Sequence, residues 1–211
     1  MKRKLFLRRR AEASRQPTGR LDRFLPGFDV RERHEVVIHA PARLVLDTAR
    51  QLDIGTLAPV RAIFWLRGLA LGARRPAAPS GGLVEVTRSL GWGTLEEDEG
   101  RYFCAGAICQ PWLPEVVFRA VPPADFAAYA EPDRVKIVWT LEAEPLGPAT
   151  TRFGTETRAA ATDSGARFKF RRHWRFVGIG VVLMRRLHLR AVRREAERRW
   201  REECPAAALP A

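Results

Sequence analysis

An alternation of aromatic and basic residues near the C-terminus is the feature that most constrains the fold of this chain. Four aromatic residues lie at even positions: Phe168, Phe170, Trp174 and Phe176. The odd positions from 167 to 175 carry Arg, Lys or His. A period of two is typical of a β-strand with one apolar face. The preceding segment, Thr162–Gly165, is a cluster of turn-forming residues. The sequence therefore predicts a β-hairpin over residues 153–177.

The register of this hairpin decides which polar residues share the aromatic face. A turn centred on Asp163-Ser164 places Thr155 opposite Arg172 and keeps Thr157 on the same face. Arg172 is then the one charged residue among the aromatics, and a buried arginine is costly unless it is paired or hydrated. We therefore expect Arg172 to bind a polar group of a ligand.

A shift of one residue, for example by a bulge at Gly165, would exchange the two faces. Glu156, Arg158 and His173 would then point to the interior, where they would form a candidate acid/base set. In the first register, Glu156 and Arg158 lie on the opposite face, where Glu156 forms an ordinary cross-strand ion pair with Arg171. The sequence leaves both registers open.

The charge of the chain is concentrated at its two ends. The net charge is +13, with nine Arg/Lys and two acidic residues in residues 1–28, and thirteen and four in residues 167–203. The remaining part is near neutral, which argues against a uniformly basic binding domain. We expect residues 1–27 to form a basic flexible tail, residues 28–203 a single domain, and residues 204–211 a C-terminal tail.

The Cys and His residues predict neither a disulfide framework nor a metal site. Cys104, Cys109 and Cys204 are an odd set with no CxxC spacing, and the four His are scattered. The sequence likewise predicts no cofactor. It shows no signal-peptide pattern and no apolar run long enough to span a bilayer, so we expect a cytoplasmic protein.

The order of the predicted elements is strand, two helices, several strands and one long helix. Strands are predicted at 33–39, 90–97, 101–110, 125–130, 135–144, 152–161 and 167–177, and helices at 42–52, 58–71 and 181–203. Residues 74–82 form a loop, and Gly178-Ile179-Gly180 ends the last strand. An antiparallel sheet with its helices on one face is an α+β arrangement.

Several segments resemble uncharacterised bacterial members of the START-like (SRPBCC, helix-grip) superfamily. They are Glu32-Arg33-His34, Ile38–Pro41, Phe126, Glu131–Trp139, Thr155–Arg158, Thr162-Asp163, Phe170, Trp174 and Arg185–Glu197. The resemblance covers roughly residues 29–198. His173 stands where an aromatic residue is expected, and the tail at 1–27 has no counterpart. The resemblance implies a helix-grip fold: a curved antiparallel sheet of about six or seven strands, two short helices, one long C-terminal helix and a cavity between this helix and the sheet.

These observations predict the binding of a small, largely apolar ligand in that cavity. The predicted lining residues are Trp92, Phe103, Trp112, Trp139, Thr155, Thr157, Phe170, Arg172 and Trp174, although aromatic residues also serve in ordinary cores. One alternative is a cyclase- or dehydrase-like enzyme that uses Glu156, Arg158 or His173. The other is a protein whose basic tail and helix contact an anionic membrane or nucleic acid. The sequence favours a binding protein over an enzyme and does not predict the oligomeric state.

Overall fold

The computed structural model describes residues 19–53, 55, 61 and 81–204, which contain a five-stranded antiparallel sheet. The strands are β1 (Val30–Ile38), β2 (Gly93–Asp98), β3 (Tyr102–Cys109), β4 (Val135–Gly147) and β5 (Thr150–Ala161). They are arranged in the order β1-β5-β4-β3-β2. The prediction of strands near 33–39, 90–97, 101–110, 135–144 and 152–161 is confirmed. The predicted total of six or seven strands is wrong.

The helices of the described residues precede, interrupt and follow the sheet. A 3-10 helix (Arg20–Arg23) comes first, followed by α1 (Ala42–Gln51), α2 (Leu83–Ser89), α3 (Pro123–Phe126) and α4 (Ser164–Glu203). The helix predicted at 42–52 corresponds to α1, and α2 was not predicted. The helix predicted at 58–71 lies outside the described residues apart from position 61.

Helix α4 replaces the last predicted strand. Asp163 is its N-cap residue, and its carboxylate accepts a hydrogen bond of 2.8 Å from the backbone N–H of Ala166. The helix then continues for 40 residues. The predicted strand at 167–177, the hairpin and both of its registers are therefore wrong. Gly178 lies inside α4 instead of ending a strand, and the helix begins at residue 164, not 181.

The predicted strand at 125–130 is also wrong. Pro122 and Pro123 come just before this segment, and the chain forms the single helical turn α3 there. Proline is well tolerated in the first turn of a helix, because the N–H it lacks has no partner there anyway. Phe126 at the end of this turn is fully buried against the sheet.

Both faces of the sheet are covered, which corrects the expectation that every helix packs on one face. Helices α1, α2 and α4 cover the first face, here called the helix face. Its core includes Ile38, Val45, Leu46, Phe103, Leu141, Phe153, Leu189 and Val192. The 3-10 helix and α3 cover the second face, with a core that includes Leu21, Phe24, Leu25, Leu95, Ile108 and Phe126. Residues 20–25, which the sequence assigned to the basic tail, thus contribute three buried apolar side chains.

Candidate functional site

Polar side chains of β1 and β5 form a row on the helix face of the sheet. In the antiparallel pairing of these strands, His34 lies opposite Thr155, and Glu32 lies opposite Thr157. Trp139 of β4 lies opposite Thr157 on the other side. Directly paired residues in antiparallel strands point to the same face with their Cβ atoms about 5 Å apart. The pairing of three strands therefore brings a histidine, two threonines and a tryptophan together under α4.

Helix α4 adds two further polar side chains above this row. Arg185 lies with its guanidinium 5.0 Å from the centre of the Trp139 ring. His188, one turn further along, has its ring 6.5 Å from the ring of Phe153 in an edge-on orientation. Residues three apart in a helix share a face, so both side chains reach toward the sheet. We refer to His34, Thr155, Arg185 and His188 as the interior cluster.

The interior cluster contains polar atoms that have no hydrogen-bond partner in the described part of the chain. These atoms are Nε2 of His34, Oγ1 of Thr155, Nε of Arg185 and the ring nitrogens of His188, one of which interacts with the backbone of Ala49 outside ordinary hydrogen-bond geometry. Thr155 and His188 are each 2% exposed. Buried polar atoms in native proteins nearly always have a partner in protein, water or ligand. Four or five such atoms in one region make it the candidate place for water or a ligand to supply hydrogen bonds.

The pKa shifts of the cluster follow from burial and from the charge of Arg185. Burial and, to a smaller extent, the positive charge of Arg185 lower the pKa of His188 to about 4, although the interaction of His188 with the backbone of Ala49 acts in the opposite direction. The pKa of His34 is also lowered, chiefly by burial and in part by Arg186 and Arg185, although Glu32 acts in the opposite direction. Burial lowers the pKa of Arg185 to about 10.

At neutral pH, the cluster therefore combines one guanidinium with two neutral imidazoles and a hydroxyl. Glu32 is the nearby acidic group, with its carboxylate 3.7 Å from Nε2 of His34, beyond ordinary hydrogen-bond length. A guanidinium next to aromatic rings binds carboxylates and phosphates well, because it offers several N–H donors in a fixed plane. The arrangement suits a ligand with an apolar body and an anionic or carbonyl end.

The predicted aromatic lining residues are divided among several places. Phe103 and Trp139 contact each other on the helix face, with ring centres 5.5 Å apart. Phe170 and Trp174 form another pair at 5.7 Å, packed on Val135 and Ala159 near the start of α4. The last two residues are half-buried. Trp92 packs against the core of Phe103 and Trp139 and also on Phe118. Trp112 packs against the cluster of Phe170, beside Lys169. Only Trp139 contacts the interior cluster directly.

Arg172 does not lie beside Thr155 or Thr157. It is exposed on α4, because the predicted hairpin that paired it with Thr155 does not form. Thr155 and Thr157 themselves are buried on the helix face. The argument for Arg172 as the polar anchor rested on the hairpin and loses its basis.

Glu156 and Arg158 lie on the opposite face of β5, where they form a buried ion-pair network. Arg158 donates to Glu156 at 2.6 Å and also to Asp22 of the 3-10 helix. Arg31 and Arg33 of β1 bind the same Glu156 carboxylate at 2.9 and 3.2 Å. Burial alone would raise the pKa of Glu156, but the hydrogen bonds from Arg31 and Arg158 outweigh it and lower the pKa.

His173, the third member of the predicted acid/base set, is half-buried on α4. Helix α4 covers the helix face, whereas Glu156 and Arg158 point to the other side of the sheet. The structure thus does not bring these three residues together. The described residues also contain no group of three or more His, Cys, Asp or Glu that could hold a metal ion.

Sequence reasoning missed Arg185, His188 and His34 as a group. One signal was present: His188 falls on the apolar side of a helical pattern that includes Leu189, Val192 and Ala196. A polar ring among buried aliphatic residues marks a site that needs a partner. Arg185 lacked such a signal, since the sequence contains arginines all around this helix.

Comparisons with known proteins yield structural likenesses only. No family model matches the chain, and no curated protein matches it. The chain is similar to the Zhui aromatase/cyclase from Streptomyces sp. R1128, with 16% sequence identity, a TM-score of 0.30, and coverage of 85% of this chain and 98% of that chain. It is also similar to a hypothetical protein from Helicobacter pylori, with 10% identity, a TM-score of 0.41, and coverage of 90% and 99%. Both TM-scores are below 0.5, so the functional argument rests on the interior cluster.

Proposed function

We propose that this protein binds a small, largely apolar ligand with an anionic or carbonyl end between the sheet and α4. The observation that carries the proposal is the set of buried polar atoms without partners on His34, Thr155, Arg185 and His188. An unsatisfied buried polar group costs about 1–3 kcal/mol, which a ligand that supplies the missing hydrogen bonds would recover.

Arg185 would bind the polar end of the ligand. Its Nε–H has no acceptor among the described residues, and no ion pair neutralises its charge there. His188 and His34 would donate or accept single hydrogen bonds as neutral imidazoles. Trp139 and Phe153 would contact the apolar body of the ligand, since both rings are buried beside the polar groups. This replaces the predicted anchor Arg172 with Arg185.

Binding is favoured over catalysis by the protonation states of the cluster. An efficient general acid or base has a pKa near the working pH. The pKa of His188, at about 4, lies well below neutrality. The residues first considered for proton transfer, Glu156 and Arg158, are engaged in ion pairs on the far side of the sheet.

A pair of fluorescent probes tests the role of Arg185. The first probe is 8-anilinonaphthalene-1-sulfonate, and the second is N-phenyl-1-naphthylamine, which has the same aromatic system without the sulfonate. We expect Arg185→Gln to weaken binding of the sulfonate probe about ten-fold, as loss of one charge-assisted hydrogen bond would. Binding of the neutral probe should change little, and Arg185→Lys should restore part of the loss.

The control is Arg172→Gln, which removes an exposed arginine from the same helix. Equal loss of sulfonate binding in the Arg172 and Arg185 variants would assign the probe to the helix surface and contradict the proposal. Native mass spectrometry of freshly purified protein should then identify the natural ligand. A bound small molecule present in the wild type and depleted in Arg185→Gln is the expected result.

A further inference from the structure

The outer surface of α4 carries a stripe of exposed apolar side chains. Its members are Phe168 (72% exposed), Phe176 (79%), Ile179 (72%) and Leu183 (46%), which we call the outer stripe. At about 100° per residue, these four positions fall within an arc of about 80°. Single exposed apolar residues are common, but four on one helix face are the kind of grouping that marks an interaction surface.

Arginines are interleaved with the outer stripe and continue its face toward the C-terminus. From Ser164 to Arg194 the helix contains ten basic residues and no acidic residue. Arg167, Lys169 and Arg171 are paired with acidic residues elsewhere in the fold, and Arg193 is paired with Glu197. Five exposed arginines of this segment make no ion pair within the described residues: Arg172, Arg175, Arg186, Arg190 and Arg194.

We propose that the outer face of α4 docks on an anionic lipid membrane. The helix would lie parallel to the membrane plane, with the outer stripe in the boundary between headgroups and acyl chains. The unpaired arginines would contact the lipid phosphates. A helix with aromatic and aliphatic residues on one face and arginines beside them binds bilayer interfaces through both contributions.

The docking is peripheral, since no described helix is long and apolar enough to cross a membrane. It also does not depend on the proposed ligand site. The outer stripe and the interior cluster lie on opposite sides of α4, so each can be tested by substitutions that leave the other intact.

A lipid surface fits this face better than the two other occupants of a basic apolar patch. Nucleic acid would pair with the arginines but would leave Ile179 and Leu183 without apolar contacts. A second copy of the chain would bury the outer stripe, but it would also bring together two copies of a helix segment, residues 164–194, that has basic and no acidic residues. Like charges facing each other across an interface are strongly unfavourable.

Co-sedimentation of the full chain with lipid vesicles tests the proposal. The vesicles contain equal parts of phosphatidylcholine and phosphatidylserine, and vesicles of phosphatidylcholine alone serve as the comparison. We expect Phe168→Ala/Phe176→Ala to lower the partition coefficient about ten-fold, because two phenyl groups no longer leave water. Each of Arg172→Gln and Arg190→Gln should lower it about five-fold at low salt.

Two matched controls lie outside α4. Val117→Ala changes a side chain that is 77% exposed in the loop after β3, and Arg43→Gln changes an exposed arginine of α1. Both should bind the mixed vesicles like the wild type. Circular dichroism should show the same helix content in all variants, since every altered side chain is exposed.

Three results would overturn the proposal. The first is unchanged vesicle binding by the double phenylalanine variant, which would place the contact elsewhere in the chain. The second is tighter binding to duplex DNA than to the mixed vesicles, lost with the same arginine substitutions. The third is a dimer in sedimentation equilibrium that Phe176→Ala converts to a monomer.

Discussion

His188 should make the fold sensitive to mild acid. The residue is 2% exposed, and its pKa is lowered to about 4 by burial and by Arg185. In the unfolded chain the imidazole titrates near its ordinary pKa of about 6.5. Between these two values the unfolded state binds a proton that the folded state does not. The free energy of unfolding therefore decreases as the pH falls from about 6.5 to about 4.

The size of the effect follows from the difference between the two pKa values. A difference of about 2.5 units corresponds to about 3 kcal/mol once the pH is below both values. At pH 5 the free energy of unfolding is about 2 kcal/mol lower than at pH 7.5, because His188 is then almost fully protonated in the unfolded state and largely neutral in the folded state. A pH of 5 is suitable, since ordinary carboxylates remain largely ionised there. The pKa of His34 is shifted in the same direction and adds to the loss.

Urea denaturation at pH 7.5 and pH 5 measures this difference for the wild type and for His188→Gln. We expect the wild type to lose about 2 kcal/mol more than the variant on acidification. The control is Leu189→Ala, which truncates a buried neighbour that does not titrate. Leu189→Ala should have a lower free energy of unfolding than the wild type, by the same amount at pH 7.5 and pH 5. Equal pH dependence in the wild type and His188→Gln would refute the reasoning.

Two further predictions concern the packing of the sheet. Glu156→Gln should lower the free energy of unfolding, measured by urea denaturation, by about 3 kcal/mol, because it leaves Arg158 as a buried charge with one partner fewer. The control is Glu144→Gln, which removes an exposed ion pair with Arg152. It should lower the free energy of unfolding by less than about 1 kcal/mol. Gly106→Ala should cost about 1–3 kcal/mol, because its Cβ would lie 2.5 and 2.8 Å from core side chains. Gly147→Ala, with no atom within 4 Å, should be close to neutral in the same thermal or urea unfolding assay.

The error over residues 164–177 shows how a helix can mimic a strand in sequence. Phe170 and Trp174 are four residues apart and face the body of the protein, together with Ala166. Phe168 and Phe176 lie on the outer surface instead. Two helical faces, each with aromatics four or eight residues apart, produce the same even-numbered pattern as one strand face. Asp163, a good N-cap residue, was the local signal for a helix start.

The strands were more predictable than this helix. The bounds of the segments at 101–110, 135–144 and 152–161 lie within three residues of the observed ones. The interior cluster was not predictable, because it depends on strand partners that are distant in sequence. His34 meets Thr155 only through the pairing of β1 with β5, and Arg185 reaches Trp139 only because α4 crosses the sheet there.

The alternation of side chains along β5 separates two kinds of buried polar group. Glu156 and Arg158 point to one face, where Asp22, Arg31 and Arg33 satisfy their charges. Thr155 points to the other face, where its hydroxyl has no partner in the described chain. A satisfied network stabilises the fold, and substituting one member leaves the others unpaired. An unsatisfied group destabilises the isolated protein, so its presence is better explained by a partner from outside. This asymmetry is why we propose ligand binding on the helix face and a structural role for the ion pairs on the opposite face.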